Sequence, residues 1–213
     1  MTAQQAESAA LRYDLPHPVA FTREPVGWRP WIEPPAYDDL TPRQLDGLIE
    51  DQRARSDYFR LLARDPEVLR NRTLTDKGIF FNEHAGLPRA DREFAAAVAS
   101  RLNGCVFCAS VHARFAAKLA DRADDVDRLL AEGVDADLGE RWNAIAAAAV
   151  ALTQTPIAFG PEHVARLREL GLDDLSILDV VQSAAFFNWA NRLMLTIGRA
   201  VAPEEAQASS TSR

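Results

Sequence analysis

An all-α fold is predicted by three features of this 213-residue chain. Apolar residues recur at helical spacing from Thr41 almost to the C-terminus. Helix starts and stops punctuate that pattern, as in "LTPRQL", "RLNG" and "FGPEH". No window alternates apolar and polar residues as a half-buried strand does.

The first element is not helical. Residues 15–36 contain Pro16, Pro18, Pro25, Pro30, Pro34 and Pro35, half of the chain's 12 prolines. Proline fixes φ and removes an amide donor, so an extended segment is expected. Phe21, Trp28, Trp31 and Ile32 lie among these prolines. They predict an arm that packs on a surface, of this molecule or of a neighbouring subunit; the alternative is a poorly ordered leader. Three segments follow from this reading: a proline-rich arm over 1–38, a helical domain over 39–203 and a disordered tail over 204–213.

Within the helical domain, Thr41 is a candidate N-cap with Pro42 at the first helical position. Leu45, Leu48 and Ile49 begin an apolar stripe that Tyr58, Leu61 and Leu62 continue. A shorter helix is expected within 66–82. In "GLPRADREFAAAVASRLNG", Phe94, Ala97, Val98 and Leu102 form one apolar face, and Asn103-Gly104 is a stop signal. The next helix carries both cysteines and runs to about Leu119. A short helix over 124–131 follows, then the alanine-rich "LGERWNAIAAAAVALTQTP". Gly160-Pro161 opens another helix, and the last runs from about Asp173 to Val201.

Composition narrows the function. The net charge is −7, with 31 acidic against 24 basic residues. A duplex-binding protein needs a basic surface, so nucleic acid is not an expected partner. No apolar run approaches the roughly 18 residues of a membrane span, and the N-terminus lacks the charged start and apolar stretch of a secretory signal. A cytoplasmic location is expected, where thiols stay reduced. The only two cysteines then read as catalytic, redox-sensing or metal-binding rather than as a structural disulfide.

Cys105, Cys108 and His112 occupy offsets 0, 3 and 7. At about 100° per residue they fall within about 60° of one another on one helix face. Cys105 follows the break at Asn103-Gly104 and so sits near the helix N-terminus, where free amides and the macrodipole stabilise a thiolate. One thiolate to react, a second to resolve and a base in reach is the pattern of a dithiol redox centre. Glu93 lies on the preceding helix, and the reversal at Asn103-Gly104 can bring it beside His112, where a carboxylate fixes the imidazole tautomer. The bland readings are a solvated first-turn Glu93 and a packed core His112. His84 and His163 have no such neighbours, and His17 lies in the proline-rich arm. Phe186, Phe187, Trp189 and Met194 form a core stripe or line an apolar pocket over the thiols. Asn188, Asn191 and Arg192 bond across a subunit contact or orient a substrate.

The segment "EFAAAVASRLNGCVFCASVHARFA" resembles the core signature of the alkylhydroperoxidase AhpD-like family, within the carboxymuconolactone decarboxylase-like superfamily. In that signature a Glu precedes Cys-x-x-Cys-x-x-x-His by about a dozen residues, and Glu93, Cys105, Cys108 and His112 match it. "GLPRADRE" resembles the family's helix start, and "FFNWANRLMLTIG" is similar to a segment of its peroxidase-related branch. The resemblance covers roughly residues 40–200. It implies an all-helical bundle, a homo-oligomer (dimer, trimer or hexamer) and reduction of organic hydroperoxides by a dithiol, with Glu93 and His112 as the proton relay and no cofactor or metal. A dithiol protein or small thiol would be the reductant. Well-studied members of that family carry a second His directly before the second Cys. Here Phe107 stands there, leaving the shorter relay Glu93–His112–thiol.

Two lines of reasoning separate on which sulfur attacks. Helix-terminus physics favours Cys105 as the lower-pKa thiol. The family pattern, and the single turn between His112 and Cys108, favour Cys108, with Cys105 resolving. Three other functions compete: a zinc site on Cys105, Cys108, His112 and Glu93; a non-peroxidase enzyme such as a lactone decarboxylase; and a dithiol redox sensor.

Overall fold

The computed structural model describes residues 20–202. Among them, nine α-helices and one two-stranded sheet follow the order β1 (Gly27–Pro30), α1 (Pro42–Leu48), α2 (Asp57–Leu62), α3 (Pro66–Phe80), α4 (Arg89–Leu102), α5 (Val106–Ala120), α6 (Ala123–Glu132), α7 (Glu140–Thr153), α8 (Pro161–Glu169), α9 (Asp174–Ile197) and β2 (Gly198–Val201). The fold is all-α, as the sequence predicts. Pro16, His17 and Pro18, and the tail over 204–213, lie outside the described residues.

Helix α4 is the axle of the bundle, packed on α5, α7 and α9. The expected one-sided stripe understates it. Every residue from Asp91 to Ser100 is buried, whereas Leu102, assigned to the apolar face, is exposed. Ala95, Ala96, Ala97 and Ala99 let three helices approach this one closely, and Phe94 stacks on Trp142 of α7 with ring centroids 4.1 Å apart. The buried Asp91 carboxylate accepts from Trp142 Nε1 at 2.8 Å and from Arg141 Nη2 at 2.8 Å, so it is not orphaned in the core.

The reversal after α4 is a Schellman motif. The Cys105 amide donates to the Ser100 carbonyl at 2.9 Å and the Gly104 amide to the Arg101 carbonyl at 3.4 Å. Gly104 occupies the left-handed region at φ +79°, which disfavours a residue with a Cβ.

The stripe expected to run on from Thr41 is broken. Thr41 is the N-cap, as predicted, and closes a capping box with Gln44, but α1 ends at Leu48 and Ile49 adopts φ +66°. A 3₁₀ turn over Asp51–Arg55 intervenes before α2. The break lets the stripe serve two cores. Leu48 packs with Leu40, Ala54, Ala63 and Leu69 in a small satellite cluster, while Tyr58 and Leu61 turn into the main one.

The part of the proline-rich arm within the described residues, from residue 20 on, packs on its own chain. Arg23 makes a two-bond ion pair with Asp127 of α6, at 2.6 and 2.7 Å. Trp28 is buried edge-on against Tyr58, centroids 5.4 Å apart. Trp31 and Ile32, expected as anchors, are exposed. Strand β1 pairs antiparallel with β2, Trp28 opposite Ala200. The predicted last helix therefore stops at Ile197 rather than Val201. Gly198 lies under the Trp28 ring so closely that a Cβ there would stand 2.2 Å from Trp28 Cζ2. Substituting Gly198→Ala is expected to displace Trp28 and lower stability by about 1–3 kcal/mol, the usual cost of overpacking. Denaturant unfolding measures it, and an unchanged midpoint would mean that Trp28 relocates freely.

Candidate active site

Cys105 is the residue before the first turn of α5, and Cys108 is the third residue within it. Their Sγ atoms are 2.9 Å apart and both thiols are free and buried. At that distance the sulfurs share a proton, and their environments separate them. Cys105 is lowered from the ordinary thiol range, first by the hydrogen bond with Cys108 and then, against its burial, by the backbone amides of Cys108 and Phe107. This is the helix-terminus effect expected from the sequence. Cys108 is raised well above that range by the same shared proton, by burial and by the charge on Cys105. Of the two, Cys105 is therefore the sulfur that ionises first and Cys108 the one that keeps its proton longer.

The structure brings Glu93 and His112 together. His112 Nδ1 lies 2.6 Å from Glu93 Oε2. Glu93 is 1% exposed and His112 8%, so neither is the solvated or isolated side chain of the alternative readings. A carboxylate can only accept, so Nδ1 carries the hydrogen and Nε2 of the neutral ring is left basic. Phe80 and Phe187 hold the imidazole plane, with centroids 5.1 and 4.0 Å away.

Sequence reasoning missed Arg89, whose Nε donates to the other Glu93 oxygen at 3.0 Å. Its only signal was the i, i+4 spacing from Arg89 to Glu93 within "PRADRE". Arg89 lies over the Phe81 ring at 4.1 Å, which fixes the fork.

Cys108, His112 and Glu93 open on one cavity of about 370 Å³, within the range of small-molecule sites. Cys105 is not on its wall. Phe107, standing where the family places a second His, contributes apolar surface there, as do Tyr58, Phe80 and Phe115. The C-terminal aromatic stripe divides. Phe187 and Met194 line the cavity, and Met194 Sδ is 3.4 Å from Cys108 Sγ. Phe186 is half-buried, and Trp189, at 43% exposure, faces outward.

The asparagines act within the chain. Asn103 Nδ2 donates to Asn188 Oδ1 at 3.0 Å and to Asn191 Oδ1 at 3.1 Å, and Asn191 Nδ2 donates to Ser100 Oγ at 3.0 Å. The α4–α5 reversal is thereby tied to α9. Asn191 also lowers both thiols by hydrogen bonding. Arg192 donates back to Asn188 Oδ1 at 3.0 Å.

His84 lies in the loop before α4, and His163 caps the Gly160 amide at 3.1 Å. Both are away from the thiols, as the sequence reading has them; His17 lies outside the described residues. Among the described residues no group of three or more His, Cys, Asp or Glu converges as a metal-binding set. No helix among them is long and apolar enough to cross a membrane.

Residues 66–153 match the carboxymuconolactone decarboxylase family. They span α3 to α7 and include Glu93, both cysteines and His112. Comparison with curated protein sequences gives no match. Among solved structures, the chain is similar to a peroxidase-related protein from Ralstonia eutropha JMP134, described as an alkylhydroperoxidase AhpD core. Identity is 22%, with 84% of this chain and 91% of that one covered and a TM-score of 0.66. A peroxidase-related protein from Silicibacter sp. TM1040 is also 22% identical, covering 79% and 89%, with a TM-score of 0.67. The debrominase Bmp8 is 18% identical, covering 76% and 87%, with a TM-score of 0.61. The structural likenesses speak to the fold, and the family match falls on the segment that carries the dithiol. Residues 66–153 thus carry the signature of the carboxymuconolactone decarboxylase family, and the fold of the chain is similar to that of the AhpD-like structures.

Proposed function

We propose that the protein is a dithiol-dependent peroxidase that reduces organic hydroperoxides, with Cys108 as the attacking sulfur, Cys105 as the resolving sulfur and Glu93–His112 as the proton relay. One observation carries this reading: two free thiols 2.9 Å apart at a helix N-terminus, with Cys108 and a carboxylate-bound imidazole on the same apolar cavity. Access decides between the sulfurs. Cys105 has the lower pKa but lies behind the cavity wall, whereas Cys108 meets whatever enters.

The cycle uses both properties. His112 Nε2 takes the Cys108 proton as the hydroperoxide arrives, and Glu93 stabilises the resulting imidazolium. The Cys108 thiolate attacks the terminal peroxide oxygen, the O–O bond breaks, and the departing alkoxide takes the proton from His112 to become alcohol. Cys108 is now a sulfenic acid. The Cys105 thiolate attacks the Cys108 sulfur, the S–O bond breaks, hydroxide leaves and is protonated to water, and a disulfide forms. A dithiol reductant, protein or small molecule, returns two electrons and two protons to the pair. Phe107 cannot relay protons, so His112 serves both proton transfers. The family resemblance also supports a homo-oligomer, whose subunit number sizing and light scattering would give.

Titrating thiolate ultraviolet absorbance in the reduced protein is expected to give two separate steps, one below and one above the ordinary thiol range. In Cys105→Ser the lower step should vanish, and Cys108 should titrate below its wild-type position, because the shared hydrogen bond and the charge that raise it are gone. A single step at the ordinary thiol value would contradict the shared proton.

Turnover of cumene hydroperoxide with a dithiol reductant is expected to vanish in Cys108→Ser. Cys105→Ser should stop at a trappable Cys108 sulfenic acid. His112→Ala and Glu93→Gln should each slow turnover by about 10²–10⁴-fold, the range for a positioned acid–base group. Activity surviving in Cys108→Ser would reassign the nucleophile. A normally titrating dithiol with no turnover of any hydroperoxide would point to a redox sensor.

A further inference from the structure

One charged group on the cavity wall has no role in the cycle above. The Arg72 side chain, from α3, is only 8% exposed and lines the same cavity as Cys108. Its Nε and Nη1 are buried and, among the described residues, have no hydrogen-bond partner. The nearest carboxylate, Asp76 Oδ2, is 3.6 Å from Arg72 Nη1, beyond hydrogen-bond reach, and stands 3.8 Å from Arg53 Nη2 as well. The guanidinium is wedged between the Phe59 and Phe186 rings, with Cζ 5.4 and 5.3 Å from their centroids. Those faces hold its plane and charge but accept no hydrogen bond along the fork.

The other charges on this wall differ. Arg89 is bonded to Glu93, and Arg53 to Glu50 at 3.0 Å. Arg72 alone of the three arginines has a buried Nε and Nη1 that lack an acceptor. Leaving such a group unsatisfied is costly, and a planar two-oxygen anion is the partner that fits a guanidinium. The Tyr58 hydroxyl, kept protonated by burial, accepts from the Arg72 guanidinium and keeps its own hydrogen to donate at the same end. Beyond Ser56 and the Cys108–His112 pair, the rest of the wall is aromatic or aliphatic.

We infer that the cavity selects amphipathic carboxylic acids, the carboxylate seated on the Arg72 fork and the apolar body lying along the aromatic wall toward Cys108. Resting on the peroxidase reading, this names the substrate class as hydroperoxides that carry a carboxylate, in preference to uncharged ones. The anion is held by hydrogen bonds alone, so no electron or proton is exchanged at Arg72.

Two measurements test it separately from turnover. In calorimetric titration of the reduced full-length protein, octanoate should bind at least tenfold more tightly than 1-octanol. Charge-assisted bonds of this kind correspond to about 10- to 100-fold in affinity, so Arg72→Gln should remove that margin, while Arg72→Lys, which keeps charge but not the fork, should keep part of it. The octanoate–octanol comparison in the wild type stands even if a variant folds poorly. In the peroxidase assay, linoleic acid hydroperoxide should show a lower KM than its methyl ester, and Arg72→Gln should raise KM for the acid alone. Equal binding of octanoate and octanol, or an Arg72→Gln loss shared equally by acid and ester, would overturn the inference and leave the peroxidase reading intact. Arg72-dependent octanoate binding without turnover of either hydroperoxide would keep the anion site and sink the peroxidase reading.

Discussion

The reversal between α4 and α5 is the constraint on which the site depends. Gly104 takes the left-handed conformation, and the amides of Gly104 and Cys105 close the end of α4. The same step leaves Cys105 ahead of the free amides that open α5. Because the turn is so short, the two helices pack antiparallel along their length, and Glu93 on one meets His112 on the other. A longer connection would relax both the register of that pair and the position of the thiols. Asn103 reinforces the turn by bonding to two asparagines of α9.

Burying Glu93 with His112 only makes sense if the carboxylate is fully satisfied. An isolated buried charge costs several kcal/mol. Here one oxygen meets His112 and the other meets Arg89, and Arg89 is itself braced on Phe81 and Phe115. The arrangement fixes one imidazole tautomer and aims a basic nitrogen away from the carboxylate. Phe80 and Phe187 then deny the ring other orientations. Function and stability thus draw on the same contacts, so variants at Glu93 perturb both.

The dithiol divides its labour by position. The sulfur that is easiest to ionise lies behind the wall, and the sulfur that is hardest to ionise faces the cavity. Ionisation and access are therefore supplied by different residues, and a proton moving over 2.9 Å, or onto His112, joins them. On the proposed peroxidase reading, the more readily ionised sulfur is the resolving one and is shielded from whatever enters the cavity.

Much of this was legible in the residues themselves. Local rules determined the all-α class, the N-caps at Thr41 and Gly160, the stop at Asn103-Gly104 and the placing of Cys105, Cys108 and His112 on one helix face, because each rests on spacing of a few residues. The sequence also proposed the Glu93–His112 meeting, since a short reversal leaves two helices few ways to pack. What it could not supply came from contacts between distant segments. The break at Ile49 arose because one stripe feeds two cores, and the loss of the last turn of α9 because Gly198 lies beneath Trp28. The bracing of Glu93 by Arg89, the exclusion of Cys105 from the cavity and the two unsatisfied nitrogens of Arg72 depend on which buried face each helix turns inward. That choice minimises exposed apolar surface over the whole bundle, a sum that no single window of residues contains.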